Sequence, residues 1–305
     1  MPDDPTASGA KDASQLPSVI IAAHNEESVI GECLDALLSQ RASFPFGIVV
    51  SANGCDDRTA AAASRPGVTV VDRPEPGKPG ALNAGDQVAG GFPRCYLDAD
   101  IVVPPGGIAA LVRSLAETPR LLAVVPRRKL NTVGRPWLVS SYYSINERLP
   151  VFRNGLFGRG LIALSASGRA RFETFPDMIA DDLFLDSQFA DSEKGEVEEV
   201  VVIVDAPYTA RELLRRLVRV RRGNALLRAA SARGAIIVPI RPTDRWAWLR
   251  DVVLKEPRLV PAGLVYAAIS LLAALLARRQ PASDRDWARD ESSRARRADA
   301  RLGHG

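Results

Sequence analysis

The chain has 305 residues, room for one large domain or two ordinary ones, and its 46% hydrophobic and 25% charged content is that of a soluble globular protein. With 23 glycines and 22 prolines it is neither collagen-like nor of low complexity. The net charge of +4 is unevenly placed: residues 1–205 hold 19 Lys/Arg against 27 Asp/Glu, a net of −8, and residues 206–305 hold 21 against 9, a net of +12. An acidic catalytic half is therefore expected beside a basic half suited to phosphate, anionic lipid or nucleic acid. Cys33, Cys55 and Cys95 are odd in number and far apart, which gives no disulfide framework or metal-ligand pair and suits a reducing cytoplasm. Two histidines exclude a multi-histidine zinc site.

Residues 1–16 are polar, carry no secretory signal and read as a disordered lead-in. Short runs rich in Val and Ile predict buried strands at 18–23, 47–52, 68–71 and 94–97. Between them, 26–40, 57–64 and 80–88 have helical spacing, with Asp56 or Asp57 placed to cap the second helix. Such alternation means a parallel sheet covered on both faces, whose ligands bind at the carboxyl ends of the strands. Each of those ends is polar: His24-Asn25-Glu26-Glu27, then Asn53-Gly54-Cys55-Asp56-Asp57, then Asp98-Ala99-Asp100. Any one of these also reads as a cap or turn; three at the ends of one sheet converge on one crevice. Further on, strands are expected at 121–126, 161–165 and 198–205, and helices at 136–149, 181–189 and 212–230.

In an extended segment alternate side chains point the same way, so Asp98 and Asp100 would face one ligand. Two carboxylates at a strand end suit an octahedral divalent cation that keeps waters and bridges a diphosphate. The segment Lys78-Pro79-Gly80-Ala81-Leu82-Asn83-Ala84-Gly85 turns into a helix whose amides and lysine suit phosphate. It has neither the spacing of a Walker A loop nor that of a dinucleotide fingerprint.

In this order the motifs, between Pro17 and Asn224, resemble those of family 2 glycosyltransferases of the GT-A fold. The resemblance implies an α/β catalytic domain with a mostly parallel central sheet. It places donor binding at Ala23, Asn25, Glu26, Asn53, Lys78, Asn83, Asp98, Arg219 and Arg222, and metal (Mn2+ or Mg2+) at Asp98 and Asp100. The Asp181-Asp182 pair supplies the general base, best assigned to Asp182, although the pair also reads as an acidic helix start. Gly158 and Gly160 line the acceptor wall. Asn53 stands where the family has an aspartate, which weakens the case for a uridine donor. The late element 219–224 lacks the family's Gln and Trp, which disfavours a processive polymerase and leaves single addition, inverting, to a glycan or lipid-linked acceptor in envelope or polysaccharide synthesis.

Residues 259–277 run without a charge, long enough at about 1.5 Å per residue to approach the thickness of a bilayer core. Trp246 and Trp248 among arginines suit a headgroup interface, so contact with an anionic membrane surface is expected, peripheral rather than spanning, with the catalytic half cytoplasmic. The expected organisation is a lead-in at 1–16, a catalytic domain at 17–231, a basic and apolar helical extension at 232–282 and a polar tail at 283–305. Two rivals remain. A sugar-nucleotide nucleotidyltransferase would want a glycine-rich loop after the first strand, where His24-Asn25-Glu26-Glu27 stands. A non-catalytic membrane or nucleic-acid binder using the basic half would want aromatics interleaved with the basic residues, and 206–235 holds only Tyr208. No nucleic-acid partner is expected.

Overall fold

The computed structural model describes residues 15–178 and 180–279, without the side chains of Arg153 and Asn154. The expectations for residues 1–14 and for the tail beyond 279 lie outside the described residues. In chain order the elements are β1 (Ser18–Ala23), α1 (Ile30–Leu38), β2 (Gly47–Asn53), α2 (Thr59–Ala63), β3 (Thr69–Arg73), α3 (Lys78–Val88), β4 (Arg94–Asp98), α4 (Gly107–Glu117), β5 (Ala123–Asn131), α5 (Trp137–Asn146), α6 (Pro150–Asn154), β6 (Leu161–Leu164), α7 (Ala166–Arg169), α8 (Asp181–Ser187), β7 (Lys194–Asp205), α9 (Ala210–Ala232) and α10 (Val260–Arg279). A 3-10 turn precedes β7, and a π-helix (Trp248–Val253) and a second 3-10 turn lead into α10.

The seven strands form one sheet in the order β3-β2-β1-β4-β6-β5-β7. β1 runs parallel to β2 and β4, β2 to β3, and β5 to β7; β6 alone is antiparallel to its neighbours, β4 and β5. The alternation along β1 explains the two cores. Val19, Ile21 and Ala23 pack with α1 and α4 on one face, and Ile20 and Ala22 pack with α3 and α8 on the other. All four strands expected in the first hundred residues are present, each within two residues of its expected bounds.

Three expectations needed correction. The first helix begins at Ile30 rather than 26, because Asn25 takes a left-handed φ of 54° and 26–29 form a turn. The strand of the second half is longer than its apolar run, since residues 127–131 of β5, three of them basic, are held by pairing with β7 across a bulge at Pro126/Arg127. α4 was not anticipated, although Ile108, Leu111 and Leu115 lie at helical spacing and are buried. α9 starts at a capping box, where the Thr209 hydroxyl accepts from the Glu212 amide at 3.2 Å and the Glu212 carboxylate accepts from the Thr209 amide at 3.1 Å.

The segment after α9 packs back on the sheet and its helices. Ile236 and Ile240 lie against the second core, and the Arg241 amide donates to Ser187 Oγ at 3.2 Å. α10 docks on α5 and α9, with Gly263 and Ala273 buried and Tyr266 stacked on Tyr142 at 4.9 Å. Its other face, Val260, Leu264, Leu271, Leu272 and Leu275, is exposed and apolar. By length and composition alone, Pro257–Arg279 could cross a membrane.

Candidate active site

The carboxyl ends of β1 and β4, the start of α3, the 157–160 loop, the start of α8 and the middle of α9 enclose a cleft of about 310 Å³. Its position is the one dictated by strand direction in a parallel sheet.

Asp98 is the last residue of β4, and its amide donates to Gly160 O at 2.8 Å. Asp100 does not continue an extended strand as expected. A turn closed by the Ile101 amide on Asp98 O (3.2 Å) carries it, and both carboxylates still line the cleft. The acidity of this end is felt nearby: burial first, then the fields of Asp100, Asp98 and Glu26, hold the Cys33 thiol well above its ordinary range. Gly160, at φ +67°, is a position only glycine fills, since a Cβ there would stand 2.5 Å from Ile101 and 3.4 Å from the Asp98 carboxylate.

α3 begins at Lys78, one residue after Gly77, so the lysine sits at the helix N-terminus. Its Nζ bridges Asp98 Oδ1 and Asp181 Oδ2, each at 2.7 Å. Burial opposes the ammonium charge, but the fields of Asp181, Asp98 and Asp182 outweigh burial and keep Lys78 protonated well above its ordinary range. Asp182 accepts from the Gly158 amide at 3.1 Å. Burial, then the charge of Asp181, raises its pKa to about 7, against the opposing field of Lys78. The pair is thus divided: Asp181 is ion-paired, and Asp182 is a desolvated carboxyl poised near neutrality.

Of the residues expected to bind donor, Glu26, Lys78, Asp98 and Arg219 line the cleft, as do Asp100, Asp181, Asp182, Gly158 and Gly160. Ala23, Asn25, Asn53, Asn83 and Arg222 do not. Asn53 is fully buried; its Nδ2 donates to Ala23 O (2.7 Å) and Ser51 O (3.3 Å), and its Oδ1 accepts from the Gly77 amide (3.0 Å). That amide ties the ends of β1 and β2 to the start of α3. Asn83 is spent in the same way on the Phe175 backbone, at 2.9 and 2.8 Å, and Asn25 Oδ1 accepts from the Asp56 amide at 2.8 Å. These asparagines shape the crevice from behind.

Sequence reasoning placed His24 at a polar strand end without a role and missed two further features. His24 donates Nδ1–H to Asn53 O at 2.7 Å and lines the cleft. Asp205 and Arg216 form part of the far wall, where Asp205 accepts from Asn131 Nδ2 at 2.7 Å. Asp186 lies one turn beyond Asp182 in α8 and is wholly buried. It accepts from the Leu156 amide, Lys194 Nζ and Arg241 Nη1, each at 3.0 Å. α8 is therefore pinned twice to the 156–158 loop, by Asp182 on Gly158 and by Asp186 on Leu156. The i, i+4 carboxylates were legible as one helix face, but their partners 8 to 55 residues away were not.

Among the described residues no three His, Cys, Asp or Glu side chains gather as a closed metal cage. The donor set of Asp98 and Asp100, in an acidic field and open to the cleft, fits instead a hard cation held by one or two carboxylates and substrate phosphates.

Residues 18–170 match the family model described as glycosyl transferase family 2. The fold is similar to that of the mannosyltransferase PcManGT from Pyrobaculum calidifontis, solved with GDP-Man and Mn2+. The identity is 22%, the TM-score 0.57, and the match covers 94% of this chain and 80% of that one. It is also similar to glucosyl-3-phosphoglycerate synthase from Mycobacterium tuberculosis, solved with Mn2+, UDP-glucose and phosphoglyceric acid, at 19% identity and TM-score 0.51 over 72% of this chain and 81% of that one. No functionally curated protein matches the chain in sequence.

Proposed function

As a member of glycosyl transferase family 2, to which the chain belongs, the protein is a glycosyltransferase, and we propose that it moves one sugar, with inversion, from a nucleotide-sugar donor to an acceptor hydroxyl. The observation that carries this reading is the division of labour in the cleft: an open carboxylate pair on one side, and a carboxyl raised to about 7 on the other. Mn2+ and nucleotide sugars in the solved relatives support the same ligands here.

In this mechanism the donor lies with its diphosphate toward Asp98 and Asp100 and its anomeric carbon toward Asp182. A divalent cation bound by Asp98 and Asp100 would supply counter-charge for the leaving diphosphate. Asp182 takes the proton of the acceptor hydroxyl as its oxygen bonds to the anomeric carbon. The bond from that carbon to the diphosphate breaks, and its electron pair leaves with the phosphate oxygen. Attack from the face opposite the leaving group inverts the anomeric centre. Lys78 and Arg219, both at the cleft, add positive charge beside the departing diphosphate. Asp181 holds Lys78 in place and keeps Asp182 basic enough to act near neutral pH. Glu26 lines the donor side, while Asn25, Asn53 (through Ala23 O and Gly77) and Asn83 act by holding that side together, and Arg222 lies outside the lining. Gly158 and Gly160 leave room for the acceptor next to the base.

The exposed leucine face of α10, flanked by Arg258 and by Arg278 and Arg279, supports peripheral docking on an anionic cytoplasmic membrane face, with envelope or polysaccharide synthesis as the setting. Docking in the membrane plane is favoured over spanning because α10 is packed sideways on α9, whose arginines would be drawn into the bilayer with it. A lipid-linked acceptor fits that placement. Thermal unfolding against a panel of nucleoside diphosphates with Mn2+ or Mg2+ tests the donor site: a metal-dependent rise with one base supports it, and no rise with any counts against it.

A further inference from the structure

Behind Gly158, next to the proposed base, stands a cation that forms no ion pair among the described residues. Arg128, on the half-buried face of β5, makes no hydrogen bond or ion pair with any described residue; its guanidinium rests on the Phe152 ring, 4.9 Å from the centroid. Its neighbours in the strand differ. Arg127 is exposed, 3.9 Å from Glu198. Arg159, also close by, is buried, and its two terminal nitrogens are engaged with Glu196 and the carbonyls of Phe152 and Pro126. Burial, then the charge of Arg159, pulls the Arg128 pKa down; Arg216 acts in the same direction, and Glu147 and Tyr143 oppose them. An aromatic face is a weak partner for a desolvated guanidinium, whose five donors fit the oxygens of a phosphate far better.

The distance from Arg128 to the chemistry is short. Arg128 Nη1 lies 3.1 Å from the position a Cβ would take on Gly158, and the Gly158 amide is 3.1 Å from Asp182 Oδ2. Allowing for the two bonds within Gly158, the guanidinium is at most about 9 Å from the carboxylate of the base. Gly158 and Arg216 line the cleft, and Arg128 stands one layer back, directly behind Gly158, where a phosphate would reach it past a residue with no side chain.

We propose that Arg128, with Arg216 beside it, forms an oxyanion subsite for the acceptor, so that the hydroxyl delivered to Asp182 belongs to a molecule that also carries a phosphate, held by a guanidinium at most about 9 Å from that carboxylate. This rests on the reading of Asp182 as the base and narrows it: a neutral glycan would leave Arg128 unpaired, and a phosphate-bearing acceptor is the class selected. A soluble sugar or polyol phosphate and a phospholipid headgroup offer the same oxyanion.

The test is calorimetric titration of inorganic phosphate into the full chain at low ionic strength, with the donor site filled by a saturating nucleoside diphosphate and Mg2+. Wild type should bind phosphate, Arg128→Gln should bind it at least tenfold more weakly, and Arg127→Gln should stay within about twofold of wild type. Arg128→Met, which keeps an apolar stem on Phe152 without the charge, should behave like Arg128→Gln. Because Arg128 has no hydrogen bond to lose, both variants should unfold no earlier than wild type, while phosphate should raise the wild-type midpoint more than theirs. Equal phosphate affinity in wild type and both Arg128 variants, or no binding by wild type, overturns the proposal. Arg128-dependent binding of glycerol 3-phosphate points to a soluble acceptor; dependence seen only with phosphatidylinositol vesicles, against phosphatidylcholine, points to a lipid. Phosphate binding is read without turnover, so an enzyme inactive on every nucleotide sugar would sink the proposed function while leaving this result standing.

Discussion

Replacing Asp186 with Asn should cost more stability than any other single change near the cleft, although Asp186 touches no substrate. Its side chain has no exposed area and accepts from Leu156 N, Lys194 Nζ and Arg241 Nη1, all at 3.0 Å. Lys194 is only 4% exposed, so removing the charge leaves an ammonium nearly cut off from water. Breaking one partner of a buried pair costs about 3–5 kcal/mol. The low end applies, because Asp191 remains 3.0 Å from Lys194 and the Asn oxygen can still accept from Leu156. With a loss of about 3 kcal/mol and a urea slope of about 1–3 kcal/mol/M, the unfolding midpoint should fall by about 1 M or more. Asp186→Ala, which also strands the Leu156 amide, should lose about 1 kcal/mol further. Equilibrium urea unfolding followed by circular dichroism measures this. An unchanged midpoint for both variants would refute the idea that Asp186 is the hub joining α8, the 156–158 loop and the segment after α9.

Asp182→Asn should also move stability, in the opposite sense. Its pKa is raised, so the ionised form destabilises the fold; the variant should melt above wild type at pH 8, and the gap should begin to narrow as pH falls below about 7 and vanish only near the ordinary carboxyl pKa of about 4. The same titration should make wild-type transfer rise with pH to a plateau just above about 7, and a flat profile between pH 5 and 8 would contradict a base at this carboxyl. Asp100→Ala should abolish the metal-dependent part of nucleoside diphosphate binding, by calorimetry, while leaving the melting curve near that of wild type. The double change Leu264→Asp and Leu271→Asp on the exposed face of α10 should release the protein from anionic vesicles in a sedimentation assay, and undiminished binding would place the membrane contact elsewhere.

What could be read from the sequence was whatever is local. β1 and β2 show as short β-branched runs because burial on both faces demands it, and the Asp98–Asp100 pair shows because polar residues directly follow a strand. The apolar run in α10 gives a helix, but not which of its faces meets α5 and which is left bare. Asn53 and Asn83 read as ligands by position, yet their amides close on Ala23 and Phe175, contacts 30 and 92 residues away. Asp186 and Arg128 carry no motif. One matters because three segments hydrogen-bond to it and the other because its guanidinium meets only an aromatic ring and a glycine among the described residues, and only the folded chain shows either.

The central claim, metal-dependent sugar transfer with Asp182 as base, is tested most directly by release of nucleoside diphosphate from a panel of nucleotide sugars, with and without Mn2+, by wild type and Asp182→Asn. Wild type should turn over one donor only with the divalent ion present. Asp182→Asn, equal in size but unable to accept the proton, should still bind that donor while turnover in the presence of acceptor falls by about 10²–10⁴. Turnover that survives chelation, or that Asp182→Asn leaves at the wild-type rate, would contradict it.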